Sequence, residues 1–503
     1  IDLVSATPVV DATGILLSAA NAGDASDVFA NNPDPLELVP TKTDIDRFTY
    51  LDVLPEYERS PVDLVLSNLS EGQVEIGTGA VITGEAGASI SLQSKYNVYI
   101  DGTISAPAGE IDVNINARGA NGVDSRIYLG SNALLDASGV VRVNPVNYLG
   151  LTTGEILDAG QVNLAATSGS IFAESGASIN VDGASGSFHI NQDGLLTLVQ
   201  DSGDAGTVSF AAAESLIYGG DLSAQATGSS QGGQIYIMLD PNQRGISEPV
   251  APNFVNENVY RGEYVAILDD YTGSLPTYDE EVASELKGKA YVPVEEILAA
   301  GFDSLEVTVK PSGSGDPDLV GSVSVIEFST DLDLALERRL ILDAAIFRTT
   351  GDADVNLRSA YVALGSSFSE FQLDGAVFDA GTEFDSSTGR YKFTDNQAGD
   401  VITLTPTAGA GSLYVEGDLI ELIGEMVTQG FGTAGERLQA DGTVSGEAGV
   451  SFVSQGDFRV RGVRQEEPDS LEFDGLFRSA SDVTITAERI YPVTLTDFEL
   501  RVE

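Results

Sequence analysis

Residues 89–138, SISLQSKYNVYIDGTISAPAGEIDVNINARGANGVDSRIYLGSNALLDAS, decide the fold. Apolar side chains alternate over short runs: Ile90 and Leu92, Val98 and Ile100, Ile111 with Val113 and Ile115, Ile127 and Leu129. Gly, Asn, Asp or Ser bounds each run. Period-two alternation with turn punctuation predicts short, half-buried β-strands. The units also recur. Ser89-Ile90-Ser91-Leu92, Glu110-Ile111-Asp112-Val113 and Arg126-Ile127-Tyr128-Leu129 start 21 and then 16 residues apart. Repeated short strands at such a period point to a solenoid of stacked coils, an all-β parallel β-helix.

The same signature extends outward in both directions. It begins at Val62-Asp63-Leu64-Val65-Leu66-Ser67 and continues through residues 73–84, 161–190, 207–212 and 221–239. Small residues and Gly separate the strands, as tight corners demand. No coil buries its apolar side alone, so each relies on its neighbours.

Residues 241–302 break the pattern. The run 277–288 has helical spacing, with Val282 and Leu286 on one face. Pro293 to Gly301 reads as a short helix with Pro at its start and Gly just past its end. Strands resume in 304–310, 322–328, 331–336, 339–344 and 354–365, and again from 401 to 500. The expected organisation is therefore 1–60, N-terminal strands (Ile1–Val4, Ile15–Ser18) plus an excursion; 61–240, β-helix repeats; 241–302, an inserted loop and helix packed beside the solenoid; and 303–503, further repeats. Residues 366–400 and 462–471 are expected as polar loops or small outward hairpins, and 46–61 as a cap on a coil edge.

Composition narrows the function. The 503 residues hold 77 Asp and Glu against 25 Lys and Arg, a net charge of −52. Such a surface repels nucleic acid and anionic membranes, which select clustered Lys and Arg. It suits a solvated surface that keeps the protein soluble in salty or extracellular water; the sharper alternative is a surface that takes divalent cations as counterions. At 42% apolar residues the chain has enough to build a core. Cys is absent, so disulfides and thiolate metal sites are excluded. No run of about 18 apolar residues spans a bilayer. The opening IDLVSATPVVDATG lacks Met and a basic segment, and both ends read as cut from a longer chain.

The corner-to-strand units 101–116, 130–139 and 220–238 resemble those of the filamentous haemagglutinin family, the large exoproteins of two-partner secretion in Gram-negative bacteria. Gly301 to Leu305, the run 331–344 and Ala487 to Thr494 are similar to phrases of its very large members. The resemblance implies a right-handed parallel β-helix, exported through an outer-membrane partner transporter and displayed or released outside the cell. The family's secretion domain carries Asn-Pro signatures. Asn32-Pro33-Asp34-Pro35 does not reproduce them, so the chain reads as an internal part of the shaft.

Reactive chemistry finds little footing. Asp331 and Asp333, Asp352 and Asp354, and Glu466 and Glu467 are acidic pairs of the kind that β-helical polysaccharide lyases and hydrolases use, but 77 acids make chance pairs abundant. His189, the single histidine, cannot build a multi-histidine metal site. The glycine run 228–233 lacks the strand–turn–helix context of a phosphate loop. Arg261-Gly262-Glu263 lacks the final Asp of an integrin-type tripeptide. No catalytic, cofactor-binding or metal-ligating residue is expected, although scattered surface Ca²⁺ is compatible with the acidity. Three functions follow: an adhesive rod on the cell surface with excursions 19–60, 241–302 and 366–400 as its contact surfaces; a carbohydrate-active β-helix enzyme; and a self-assembling surface fibre.

Overall fold

The alternation in residues 89–138 becomes three strands per coil. In the computed structural model, Ser89–Ser94, Asn97–Ile100 and Thr103–Ser105 form one coil. Glu110–Ile115, Arg126–Leu129 and Leu134–Asp136 form the next. The structure describes residues 59–502, except 69, 71, 117–123, 146–149, 193–194, 242–262, 312–322, 369–381, 386–389, 394–405, 433–436, 439–443, 446–448, 465–472 and 494–496, together with residues 9–10 and 16–17. The expected strand Ile1–Val4, the excursion 19–60 apart from Arg59 and Ser60, and most of the cap 46–61 lie outside the described residues. Val9–Val10 pairs antiparallel with Leu16–Leu17.

Coils stack in parallel and in register. On the first face, eleven successive pairings join twelve strands, from Leu64–Asn68 to Arg489–Val493. Eleven strand spacings make a stack about 53 Å long. One inward file runs from Ile90 and Ile111 through Val208 and Leu305 to Ile420 and Phe458, each almost fully buried. Each contributes roughly 1.5–3 kcal/mol by leaving water. The outermost described coils have a neighbour on one side only, and their file residues Leu64 and Ile490 are 38% and 58% exposed.

The third face holds strands from Val81–Thr83 to Asp221–Ser223, then a helix, then strands from Leu332–Ala335 to Val483–Thr486. The helix Val294–Ala300 is as expected: Pro293 sits at its N-cap and Gly301 closes it at φ 90°. It takes the place of a strand. The amide of Ala224 donates to Ala300 O (2.8 Å) and that of Leu222 to Glu296 Oε1 (2.9 Å).

The second face shows why residues 241–302 break the pattern. Between Ser215–Tyr218 and Val323–Phe328 lie two strands in reversed chain order. Lys289–Tyr291 pairs with Ser215–Tyr218, and Glu263–Ile267 lies beyond it. The first face advances one strand fewer over the same interval. The surplus is absorbed at Tyr361–Ser366, whose coil supplies no full second-face strand of its own among the described residues. Ile346–Thr349 pairs instead with residues 427–429 of the following coil, and Thr407–Gly409 fills the rest of that row. One extra strand and one omitted strand bring the faces back into step.

Residues 268–288 form a strap over the outer side of the second face. Val282 and Leu286 bury against Tyr128, Phe172 and Ile217. The Tyr278 ring lies 4.9 Å from Tyr99, and its hydroxyl donates to Gln73. Arg126 Nη1 donates to Thr277 O (3.0 Å), and Lys287 pairs with Asp124 (3.0 Å). The helix expected over 277–288 does not form; residues 284–288 are turns. Backbone groups that a helix would pair internally are spent on the coil instead: Gly288 N donates to Glu214 O (2.6 Å), and Leu286 O accepts from the Ser215 hydroxyl (2.5 Å). The segment expected to lie beside the solenoid thus supplies two of its strands, one helix and a strap.

Candidate contact surface on the paired hairpins

Two consecutive coils lengthen at the same corner, where the third face turns into the first. One gives the antiparallel hairpin Val140–Val143 with Gly154–Leu157, the next Ser185–Gln192 with Leu195–Ser202. They lie side by side. The amide of His189 donates to Thr152 O (2.8 Å), and that of Thr152 to His189 Nδ1 (3.0 Å). Glycine allows the approach: a Cβ on Gly154 would meet the Phe188 ring at 2.5 Å. His189, expected as one more strand residue of the repeat, therefore joins two hairpins.

The outer strand of the second hairpin stands apart from the acidic surface. Leu195, Leu196 and Leu198 are 73%, 54% and 57% exposed. Residues 195–200 contain no charged side chain. The sequence signal was present in the run Leu195-Leu196-Thr197-Leu198-Val199, but its position outside the coil depends on antiparallel pairing that periodicity does not reveal.

Many carboxylates are occupied by the fold. At the corners, backbone amides that lack a ladder partner donate to acids of a neighbouring coil. Ser89 N donates to Asp63 (3.0 Å), Asn132 N to Asp101 (3.0 Å), Gln225 N to Asp182 (2.6 Å) and Gln231 N to Asp204 (2.8 Å). Burial pushes the Asp101 carboxyl up, but hydrogen bonds from Thr78 and Asn132 outweigh it and hold it below the usual range. The expected acidic pairs behave alike. Asp331 accepts Asp354 N (2.9 Å), Asp333 pairs with Arg358, and Asp354 accepts the Ser412 hydroxyl. Asp352 is exposed. Glu466 and Glu467 lie outside the described residues.

One polar cluster escaped the sequence reading. On the outer first face, Glu421 accepts the Tyr361 hydroxyl (2.7 Å) and pairs with Arg461 (3.0 Å). Diagonally across the ladder, Asp457 accepts from Arg489 (2.8 Å), Arg459 (3.1 Å) and Tyr491 (3.1 Å). Every carboxylate oxygen here has a donor. Burial, then the bond to Glu421, pushes the Tyr361 phenol up to about 12. Burial raises the Asp457 carboxyl, but its arginine and tyrosine partners outweigh that and keep it low. A general acid needs a raised pKa, so Asp457 is poorly suited to that role and well suited to tying together strands of successive coils. Its members lie up to 130 residues apart, which is why no motif announces it.

The remaining candidates join no site. Gly228 turns a corner at φ 70°, and a Cβ on Gly232 would lie 2.5 Å from Gly301 O. Arg261 and Gly262 lie outside the described residues; Glu263 is in a second-face strand and pairs with Arg348 (3.1 Å). Among the described residues no three His, Cys, Asp or Glu side chains are placed to hold a metal ion, and no helix is long and apolar enough to cross a membrane. No protein-family model, curated protein or solved structure matches this chain.

Proposed function

We propose that this chain is a section of an exported adhesive rod, a stiff β-helical shaft that carries contact hairpins on one corner. The observation that carries the reading is the pairing of a continuous ladder with two stacked hairpins whose outer strand exposes Leu195, Leu196 and Leu198. Binding surface on a rigid scaffold sits on such outgrowths. The family resemblance adds export through an outer-membrane partner transporter and display outside the cell. The surface reading shifts from the excursion 241–302, much of which the coil uses internally, to residues 140–157 and 185–202.

The alternative, a carbohydrate-active enzyme, would draw on Glu421 and Asp457, and the engagement of their oxygens weighs against it. One experiment separates the two. Purified full-length chain is coated on beads and offered cell surfaces and a panel of soluble polysaccharides. The rod reading expects retention of the beads without new reducing or unsaturated sugar ends. Release of such ends, abolished by Asp457→Asn, would favour the enzyme.

A further inference from the structure

We propose that the outer strand Leu195–Ser202 pairs with the same strand of a second copy, antiparallel about a two-fold axis through Thr197. Among the described residues, no backbone hydrogen bond reaches Leu195–Gln200 except from its hairpin partner Ser185–Gln192. In an antiparallel hairpin, alternate residues of the outer strand turn their N–H and C=O away from the partner, so this edge offers a row of unused donors and acceptors.

The strand is complementary to itself. Centred on Thr197, the antiparallel register places Leu195 opposite Val199, Leu196 opposite Leu198 and Thr197 opposite Thr197. Every facing pair is then apolar with apolar or hydroxyl with hydroxyl, which are favourable cross-strand combinations. Both copies use one patch, so the contact closes as a dimer and not as an open chain. The product is a four-stranded sheet made of two hairpins.

Charge argues against a basic partner at this strand and tolerates a second copy. The chain carries −52, and a basic partner would be drawn to that surface in general, not to a strand whose residues 195–200 are uncharged. Two copies repel each other unless their bodies stay apart, and the hairpin keeps them apart. In the proposed register the two hairpin bases, at Ser202 of each copy, are ten residues apart along the strands, about 33 Å. That is about four Debye lengths at physiological salt, so the repulsion is largely screened. Five residues a side make a small interface, below the size of stable complexes, so a single contact is weak and strengthens when rods are arrayed together.

The absence of Cys gives a clean test on the full chain. A Cys on the axis faces its own copy at about 4.5–5.5 Å between Cα atoms, within disulfide range. Thr197→Cys is expected to form a covalent dimer under mild oxidation. Gln200→Cys, also exposed but off the axis, is expected to lag well behind. Sedimentation of the unmodified chain should show concentration-dependent dimers that gain with salt. Leu196→Lys with Leu198→Lys should leave a monomer with unchanged circular dichroism. Equal cross-linking of the two Cys variants would overturn the proposal, and so would a monomer at every concentration and salt.

Discussion

Single glycines decide whether the coils can stack. Gly160 begins a first-face strand's approach at a corner, and a Cβ there would lie 1.8 Å from Gly109 O of the coil beneath; at Gly206 the clash is 2.0 Å with Gly160 O. Both contacts are with backbone, which cannot swing aside. Gly160→Ala is expected to cost about 2–4 kcal/mol, at the severe end for one substitution, and thermal unfolding would measure it. The same stretch of sequence looks like any Gly-rich loop, because periodicity reports strands and says nothing of the carbonyl under the corner. Carboxylates at the corners make the fold sensitive to acid. The Asp101 pKa is lowered in the folded state, so its contribution is present above the unfolded value of about 3.9 and disappears as pH falls through the folded one. Asp101→Asn should lower the melting temperature at pH 7, and the gap from the unmodified chain should shrink below about pH 4. A gap that stays constant with pH would show that Asp101 acts through shape alone.

At the scale of elements, the strap 268–288 converts a nearest-neighbour stack into a linked one. A simple solenoid couples each coil to the next. Here Tyr278 reaches Gln73 across 205 residues, and Leu286 sits against the coils of Phe172 and Ile217. Tyr278→Ala should therefore raise amide exchange at Arg126–Leu129 and Ser170–Ala173 while leaving Val450–Arg461 protected. Hydrogen exchange read by mass spectrometry checks this; uniform loss along the whole ladder would contradict it. The helix Val294–Ala300 was legible because Pro293, Gly301 and the apolar spacing agree. The strap was not: Val282 and Leu286 have the four-residue spacing of a helix, and only the bonds of its backbone to Glu214 and Ser215 of the coil exclude one. The reversed order of Lys289–Tyr291 and Glu263–Ile267 was also hidden, since both strands carry ordinary local patterns and their order is set by tertiary pairing. The hairpin 185–202 was likewise hidden, because alternation is the same whether strands pair parallel or antiparallel.

At the scale of the whole molecule, the twelve-strand first face is the feature from which the rest follows. The parallel β-helix was legible because inward aliphatics recur through nearly every coil, from Ile90 to Phe458. The contact surface was not, because exposure is a property of the assembled stack. The absence of Cys permits the most direct measurement: spin labels on two introduced cysteines, with distances read by pulsed electron resonance. Ser91 and Glu306 occupy one outward row, five strands apart through Asp112, Asn163, Ser209 and Tyr236. Gln93 and Val493 occupy another, ten strands apart. A single continuous parallel ladder predicts backbone separations of about 24 Å and about 48 Å, in proportion to strand count and not to sequence distance. Two separations that fail this two-to-one ratio, or a Gln93–Val493 distance as short as the first, would contradict it.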